Sequence, residues 1–231
     1  MPTEDPRPRA LIVHAHPEPD SFCTAQMHAA AAALRDSGHR VDVVDLYALG
    51  FDPVLDITEF PAARRPLKPQ AEQASAWAAG TLAPDVAPQL DLLLAADLLV
   101  LSFPVWWFAL PAVLKGWVDR VFVSGGVFGG ELGLFQDAAM HGRRAIVLAT
   151  TGGSETSFTE GGRFGDLDRF LYPIHRGIFE FVGFEVLEPV VTFGPARDDA
   201  NGRANALADV HSAFRAILDR PTAPAGAARP R

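Results

Sequence analysis

Apolar residues fall into short unbroken runs separated by stretches of helical period, an order that predicts alternating strands and helices. Residues 10–13 (ALIV), 98–101 (LLVL) and 145–149 (AIVLA) carry no polar interruption, the pattern of strands covered on both faces of a parallel sheet. Val41, Val43 and Val44 give another strand ending at Asp45, and residues 186–193 a further one interrupted by Pro189. Phe22, Ala25, Ala29 and Ala33 recur at helical spacing over residues 22–34, with Asp20 or Ser21 placed to cap and Gly38 to stop the helix. The small alanines let that face lie close to a sheet, so residues 9–45 read as strand, helix, strand with a parallel crossover. Helices are also predicted over part of 70–83, over 88–95, from Pro111 onward and over most of 166–181 despite Pro173. The last helix, 200–219, has Ala204, Leu207, Val210, Phe214, Ile217 and Leu218 on its apolar side. One domain at 9–220 lies between a disordered lead (1–8) and a disordered tail (221–231).

The central strand is expected to stop at Ser102, Phe103 and Pro104, because proline brings no ladder donor. Val105, Trp106, Trp107 and Phe108 follow directly. Ligands of open α/β sheets bind beyond the carboxyl ends of the strands, so these rings are either a ligand platform or filler of core and interface space. Trp117 and Phe122 come next, on a helix whose outward side is unusually apolar for a monomer surface, which predicts a dimer contact. Residues 45–70 show turn signals but no sustained period, as a functional or subunit-contacting excursion does. Glycines at 125, 126, 129 and 130 make a flexible segment able to mould to a ligand or a neighbour.

Composition narrows the chemistry. At 231 residues and 48% hydrophobic, the chain can bury the core of one α/β domain. A formal charge of -8, from 20 basic and 28 acidic residues with no basic stripe, argues against a nucleic-acid surface. Cys23 is the only cysteine, which excludes an intrachain disulfide, a CxxC redox pair and a cysteine zinc site. Any redox chemistry must use a bound cofactor. There is no apolar segment of bilayer-spanning length and no signal-peptide order at the N-terminus, which predicts a cytoplasmic protein without membrane insertion. His14 and His16 share a face, but with no carboxylate or cysteine partner beside them no metal is assigned.

Three loops follow three buried strands, at 14–22, 103–108 and 150–154, and in a parallel sheet all three emerge at one edge. The first offers His16 and the start of a helix, whose backbone N–H groups and dipole attract an anion. The second offers aromatic surface, and the third (TTGGS) offers glycines that let backbone touch a flat ligand. Together they suit a planar heterocycle with a phosphate tail.

These segments carry a resemblance. LIVHAHPEPDSF (11–22), VVDLYALGFDP (43–53), ADLLVLSFPVWWFALPAVLKGWVDRVF (96–122), TTGGS (150–154) and GDLDRFLYPIHRGIFEFVGFEVLEP (165–189) are similar to the flavodoxin-like NAD(P)H:quinone oxidoreductases, the DT-diaphorase family. The resemblance implies a doubly wound five-stranded parallel sheet with helices on both faces. It also implies a homodimer with the flavin near the interface, FAD as cofactor, and ping-pong hydride transfer from NAD(P)H to a quinone. Carried over by position, His16, Ser21, Phe22, Cys23 and Ala25 resemble the diphosphate pocket. Pro104, Val105, Trp106, Trp107 and Phe108 resemble the wall beside the isoalloxazine ring, and Thr150, Thr151, Gly152 and Gly153 the loop on its other side. Trp107, Phe108, Gly152 and Gly153 would serve the reaction itself. Arg203 and Leu207 resemble a pair reaching toward adenine, which favours FAD over FMN. Asp119 falls where the family has an acidic residue near the adenine end across the interface.

The departures fall beside the ring. Phe158 and Phe164 stand where better known members have a tyrosine and a histidine, so the substrate pocket is read as Phe128, Phe158 and Phe164, with Arg163 a candidate for the missing charge. The alternatives are an FMN-dependent NAD(P)H:flavin or nitroaromatic reductase and a non-catalytic flavin-binding module.

Overall fold

A computed structural model describes residues 7–63 and 65–218, the side chain of Leu218 excepted. All but Arg7 and Pro8 of the expected lead, and the whole expected tail, lie outside the described residues. Twelve main elements follow one another: β1 (Arg9–His14), α1 (Phe22–Asp36), β2 (Arg40–Asp45), α2 (Pro69–Ala79), α3 (Ala87–Ala95), β3 (Leu98–Pro104), α4 (Ala112–Val121), β4 (Arg144–Thr151), α5 (Leu167–Ile174), β5 (Glu185–Val186), β6 (Val190–Phe193) and α6 (Ala200–Leu218). The sheet runs β2-β1-β3-β4-β5, with β6 also on β4, and every pairing is parallel. β5 and β6 are two pieces of one edge position, divided at Leu187–Pro189 as Pro189 predicts.

Alternation along the central strands builds a core on each face. Ala10, Ile12, Leu98, Val100, Ile146 and Leu148 pack under α1 and α6 with Met27, Leu34, Val210 and Phe214. Leu11, Val13, Leu99, Leu101, Ala145 and Val147 pack the other face against Leu90, Leu93, Leu114, Trp117 and Leu171. The sheet is doubly wound, and its three central strands are apolar on both sides because both sides are covered.

Four expectations change. β3 does not stop at Leu101 but continues buried through Ser102, Phe103 and Pro104, with Pro104 opposite Thr150. Val105 N–H donates to Thr150 at 2.8 Å, so the nitrogen of Pro104 faces the β1 side, where pairing has ended at His14–Ser102 and no donor is needed. Trp117 and Phe122 do not form an outward apolar face. Both are buried, packed edge to face at 5.8 Å, and the Trp117 indole donates to Gln89 at 3.4 Å. On α1 the buried side centres on Cys23, Met27, Ala30, Ala31 and Leu34, while Phe22, Ala25 and Ala29 are half-buried. On α6, Ala204 is exposed.

Pro173 sits inside α5, and just beyond it the helix widens to π spacing over His175–Phe179. The 45–70 excursion is tied down by one buried arginine. Arg120 donates to Glu59 at 2.8 Å, to Asp85 at 2.5 and 3.0 Å, and to the Asp52 carbonyl at 2.7 Å, with its guanidinium 5.2 Å from the Phe51 ring centre. Burial raises the Glu59 carboxyl above its usual range against the pull of Arg120.

Candidate functional site

The loops after β1, β3 and β4 meet at one sheet edge, as the topology requires. Ala15 N–H donates to Ser102 at 2.9 Å, and Val105 N–H to Thr150 at 2.8 Å, so each loop leaves its strand stitched to the next. Between them opens a cavity of about 520 Å³ lined by His16, Ser21, Phe22, Cys23, Pro104, Val105, Trp106, Thr150, Thr151, Gly152, Pro195, Ala196 and Arg203, within the usual range of ligand sites.

The polar side of the cavity is built on the start of α1. Ser21 caps the helix, accepting from Thr24 N–H at 3.1 Å. Nδ1 of His16 lies 3.0 Å from the Glu18 N–H and 3.1 Å from the Glu18 carbonyl, which ties the ring to its own loop. Arg203 lies across the cavity on α6, its guanidinium donating to the Asp198 carbonyl. Cys23 is buried, and burial pushes its thiol up to about 12, with Thr150 and Ser102 opposing as hydrogen-bond partners. It is therefore a wall and not a nucleophile.

The aromatic corner is a strained turn. Trp106 and Ala109 exchange backbone hydrogen bonds at 3.2 and 3.0 Å, and between them Trp107 (φ 52°) and Phe108 (φ 59°) are left-handed. Two such non-glycine residues together cost about 2–4 kcal/mol. The turn holds Trp107 96% exposed, which removes the core-filler reading for that ring. Trp106 turns back beside His16, their ring centres 6.2 Å apart. Phe108 stacks on Phe170 at 4.5 Å and stands 6.3 Å from Phe158 and 5.9 Å from Phe164.

Several expected site residues lie elsewhere. Ala25 and Leu207 are half-buried on α1 and α6 and do not line the cavity. Gly153 is turned under the phenylalanines. A Cβ there would meet Phe164 at 2.7 Å and Phe158 at 2.9 Å, so its missing side chain serves aromatic packing rather than ligand approach. Gly152 is the open one, with nothing within 4 Å of its Cβ position. Arg163 is exposed, 5.7 Å over the Phe164 ring. Within one chain Phe128 is not joined to Phe158 and Phe164. It lines a separate cavity of about 660 Å³ with Lys68, Asp119, Phe122, Ile178 and Phe181, where Asp119 pairs with Lys115 at 2.6 Å.

Pro195 and Ala196 were not expected in the cavity. They follow β6, a fourth strand whose end faces the same edge, and its position was the available signal. His14 also proves to be a buried residue, bonded to Ser102 and Thr24, and no cluster of three or more metal-ligating side chains occurs among the described residues.

The family model described as flavodoxin-like fold matches residues 8–214. The chain is 39% identical over 214 residues to NAD(P)H dehydrogenase (quinone) 1 of Cavia porcellus, covering 91% of this chain and 78% of that protein. It is 36% identical to ribosyldihydronicotinamide dehydrogenase (quinone) of Homo sapiens, over 81% and 82% of the two chains. A crystal structure from Klebsiella pneumoniae, assigned provisionally as a quinone reductase, matches with TM-score 0.85 at 32% identity, covering 94% of this chain and 87% of that one.

Proposed function

The chain belongs to the flavodoxin-like family that includes the NAD(P)H:quinone oxidoreductases and is an enzyme of that kind; from that premise we propose that hydride passes from NAD(P)H through one bound FAD per site to a quinone in two alternating half-reactions. The observation that carries this is the cavity at which the β1, β3 and β4 loops meet, with His16, Ser21 and Arg203 as polar lining and Trp106 of the aromatic corner among its walls.

The residues present fit a flavin. The capped start of α1, the His16 ring and Arg203 supply donors and positive potential for phosphate. Gly152 leaves backbone open to a flat ring, with Pro104, Val105 and Trp106 opposite. A bound FAD would supply the hydride chemistry that no side chain here provides. The chain's own part is to bind and orient. Trp107 and Phe108 present aromatic surface to stacked rings, held by a turn rigid enough to keep them there, so that proximity and alignment supply much of the rate. Phe158 and Phe164 offer no hydrogen-bond donor, which leaves backbone N–H groups of the 152–153 loop as the donors near developing negative charge.

Purified protein is expected to be yellow, to release FAD on heating, and to bleach on adding NADH or NADPH until a quinone is supplied. Released FMN would overturn the cofactor identity and leave an FMN-dependent reductase. Bound flavin that no nicotinamide reduces would leave a carrier, and a chain that takes up neither flavin would overturn the reading altogether.

The same reading makes the enzyme a homodimer. Phe128, which the resemblance assigns to the substrate pocket, and Asp119, which it puts near the adenine end across the interface, lie at a different cavity of the same chain, so a second chain is the natural source of that half. Exposed Tyr47, Leu49 and Val54 on the excursion add apolar surface for such a contact. The reading also places the enzyme in the cytoplasm, where NAD(P)H is regenerated, and cell fractionation tests it.

A further inference from the structure

Behind the cavity lies a buried polar network that the proposed chemistry does not use. His14 is fully buried at the end of β1, with Ser102 Oγ 3.0 Å from Nδ1 and Thr24 Oγ1 3.1 Å from Nε2. Thr24 Oγ1 lies 2.9 Å from Ser21 Oγ and 3.1 Å from the Glu18 carbonyl, and Thr24 N–H donates to Ser21 Oγ at 3.1 Å. A strand end inside a core asks only for an apolar side chain. A buried imidazole is costly there unless both nitrogens are paired, and here both are.

The proton positions follow from one fixed acceptor. The Glu18 carbonyl can only accept, so the Thr24 hydroxyl donates to it. The Thr24 oxygen is then left to accept, from Nε2–H of His14 and from the Ser21 hydroxyl. This sets the His14 tautomer, and Nδ1 accepts from the Ser102 hydroxyl. Every hydroxyl in the set spends its proton once, and the ring is neutral. The network spans three walls of the cavity: His14 is two residues before His16, Ser102 is two before Pro104, and Ser21 lines the cavity itself.

We propose that His14 is a positioning residue for the cofactor site, fixing the Ser21 cap and the first turn of α1 against the end of β3 through Thr24 and Ser102. It thereby sets the helix N-terminal donors at the place where the phosphate of a flavin nucleotide binds. This rests on the flavin reading above.

The test is fluorescence titration of the full chain with FAD, FMN and riboflavin, for wild type, His14→Leu, Thr24→Val, the double variant and Thr24→Ser. Each of the first two substitutions is expected to raise Kd for FAD and FMN about tenfold, the loss of one positioned hydrogen bond. The double variant should be no worse than either single one, because the residues act as one unit, and Thr24→Ser should bind as wild type does. Riboflavin, which lacks phosphate, should bind all variants alike. A lowered melting temperature with unchanged Kd values, equal weakening of all three flavins, or simple additivity would each show a packing role and overturn the inference. If His14→Leu does not fold, Ser102→Ala with Thr24→Val closes an equivalent cycle under the same criteria. Wild type that binds none of the three ligands would instead overturn the flavin reading.

Discussion

At the scale of single residues, His14 gives the clearest dependence on solution conditions. Burial pushes its imidazole down to about 4; Asp45 opposes this, while His16 and His28 reinforce it. The unfolded chain carries the ordinary value of 6.5. Between these values the unfolded chain binds a proton that the folded chain refuses, so stability that is fully present above pH 6.5 is lost as pH falls. The loss is about 1.4 kcal/mol per pH unit and roughly 3 kcal/mol by pH 4. His39 and His175 are also held below their usual value by burial, so the wild-type slope contains them too, and only a difference isolates His14. Urea unfolding at pH 7, 5.5 and 4.5 should show wild type losing stability more steeply than His14→Asn. Parallel slopes would mean that the ring is not held neutral. The sequence placed His14 and His16 on one face but could not show which of them was buried, because that depends on Thr24 arriving from α1.

At the scale of elements, α4 shows how context reverses a local preference. Alanine in place of glycine inside a helix normally stabilises by about 1 kcal/mol. At Gly116 a Cβ would lie 2.2 Å from the Pro53 carbonyl oxygen and 2.5 Å from its Cα, and backbone cannot step aside as a side-chain tip can. Gly116→Ala should therefore lower stability, by about 2–3 kcal/mol on the scale of overpacked cores. It should also expose the 51–59 segment to limited proteolysis while the sheet holds; an unchanged or raised melting temperature would refute this. Long-range ties to α4 also explain why residues 45–70 were opaque. Arg120 meets Glu59 across 61 positions and Asp85 across 35, and no local period records such ties. The three central strands were legible because both their faces are apolar. The face of α1 was not, since alanines at 25, 29, 30, 31, 32 and 33 fit almost any stripe, and Cys23, Met27 and Leu34 decide it. Of the site, the three converging loops followed from strand order alone. The inward turn of Gly153 did not, because Phe158 and Phe164 reach it only in the folded chain.

At the scale of the whole molecule, the division of expected site residues between two cavities makes the proposed dimer testable through activity. Trp107 belongs to the edge where β1, β3 and β4 end, and Phe128 to the cavity beside α4 and Phe181. If one active site takes Trp107 from one protomer and Phe128 from the other, Trp107→Ala and Phe128→Ala dimers each carry the lesion at both sites, and each should reduce quinone slowly. A mixed dimer of the two differs. One of its sites carries both lesions, while the other takes Trp107 from the Phe128→Ala chain and Phe128 from the Trp107→Ala chain and is intact. Purification through a tag on each variant keeps only the mixed dimers, so about half of the sites in that sample should recover wild-type turnover under C₂ symmetry. If the site lies within one chain, every chain in the mixture is damaged, and quinone reduction stays at the average of the two variants. Co-expression with two affinity tags, purification through both, and steady-state assay distinguish these outcomes. Recovery would fix which residues face each other across the interface, and its absence with stable mixed dimers would return the whole site to a single chain.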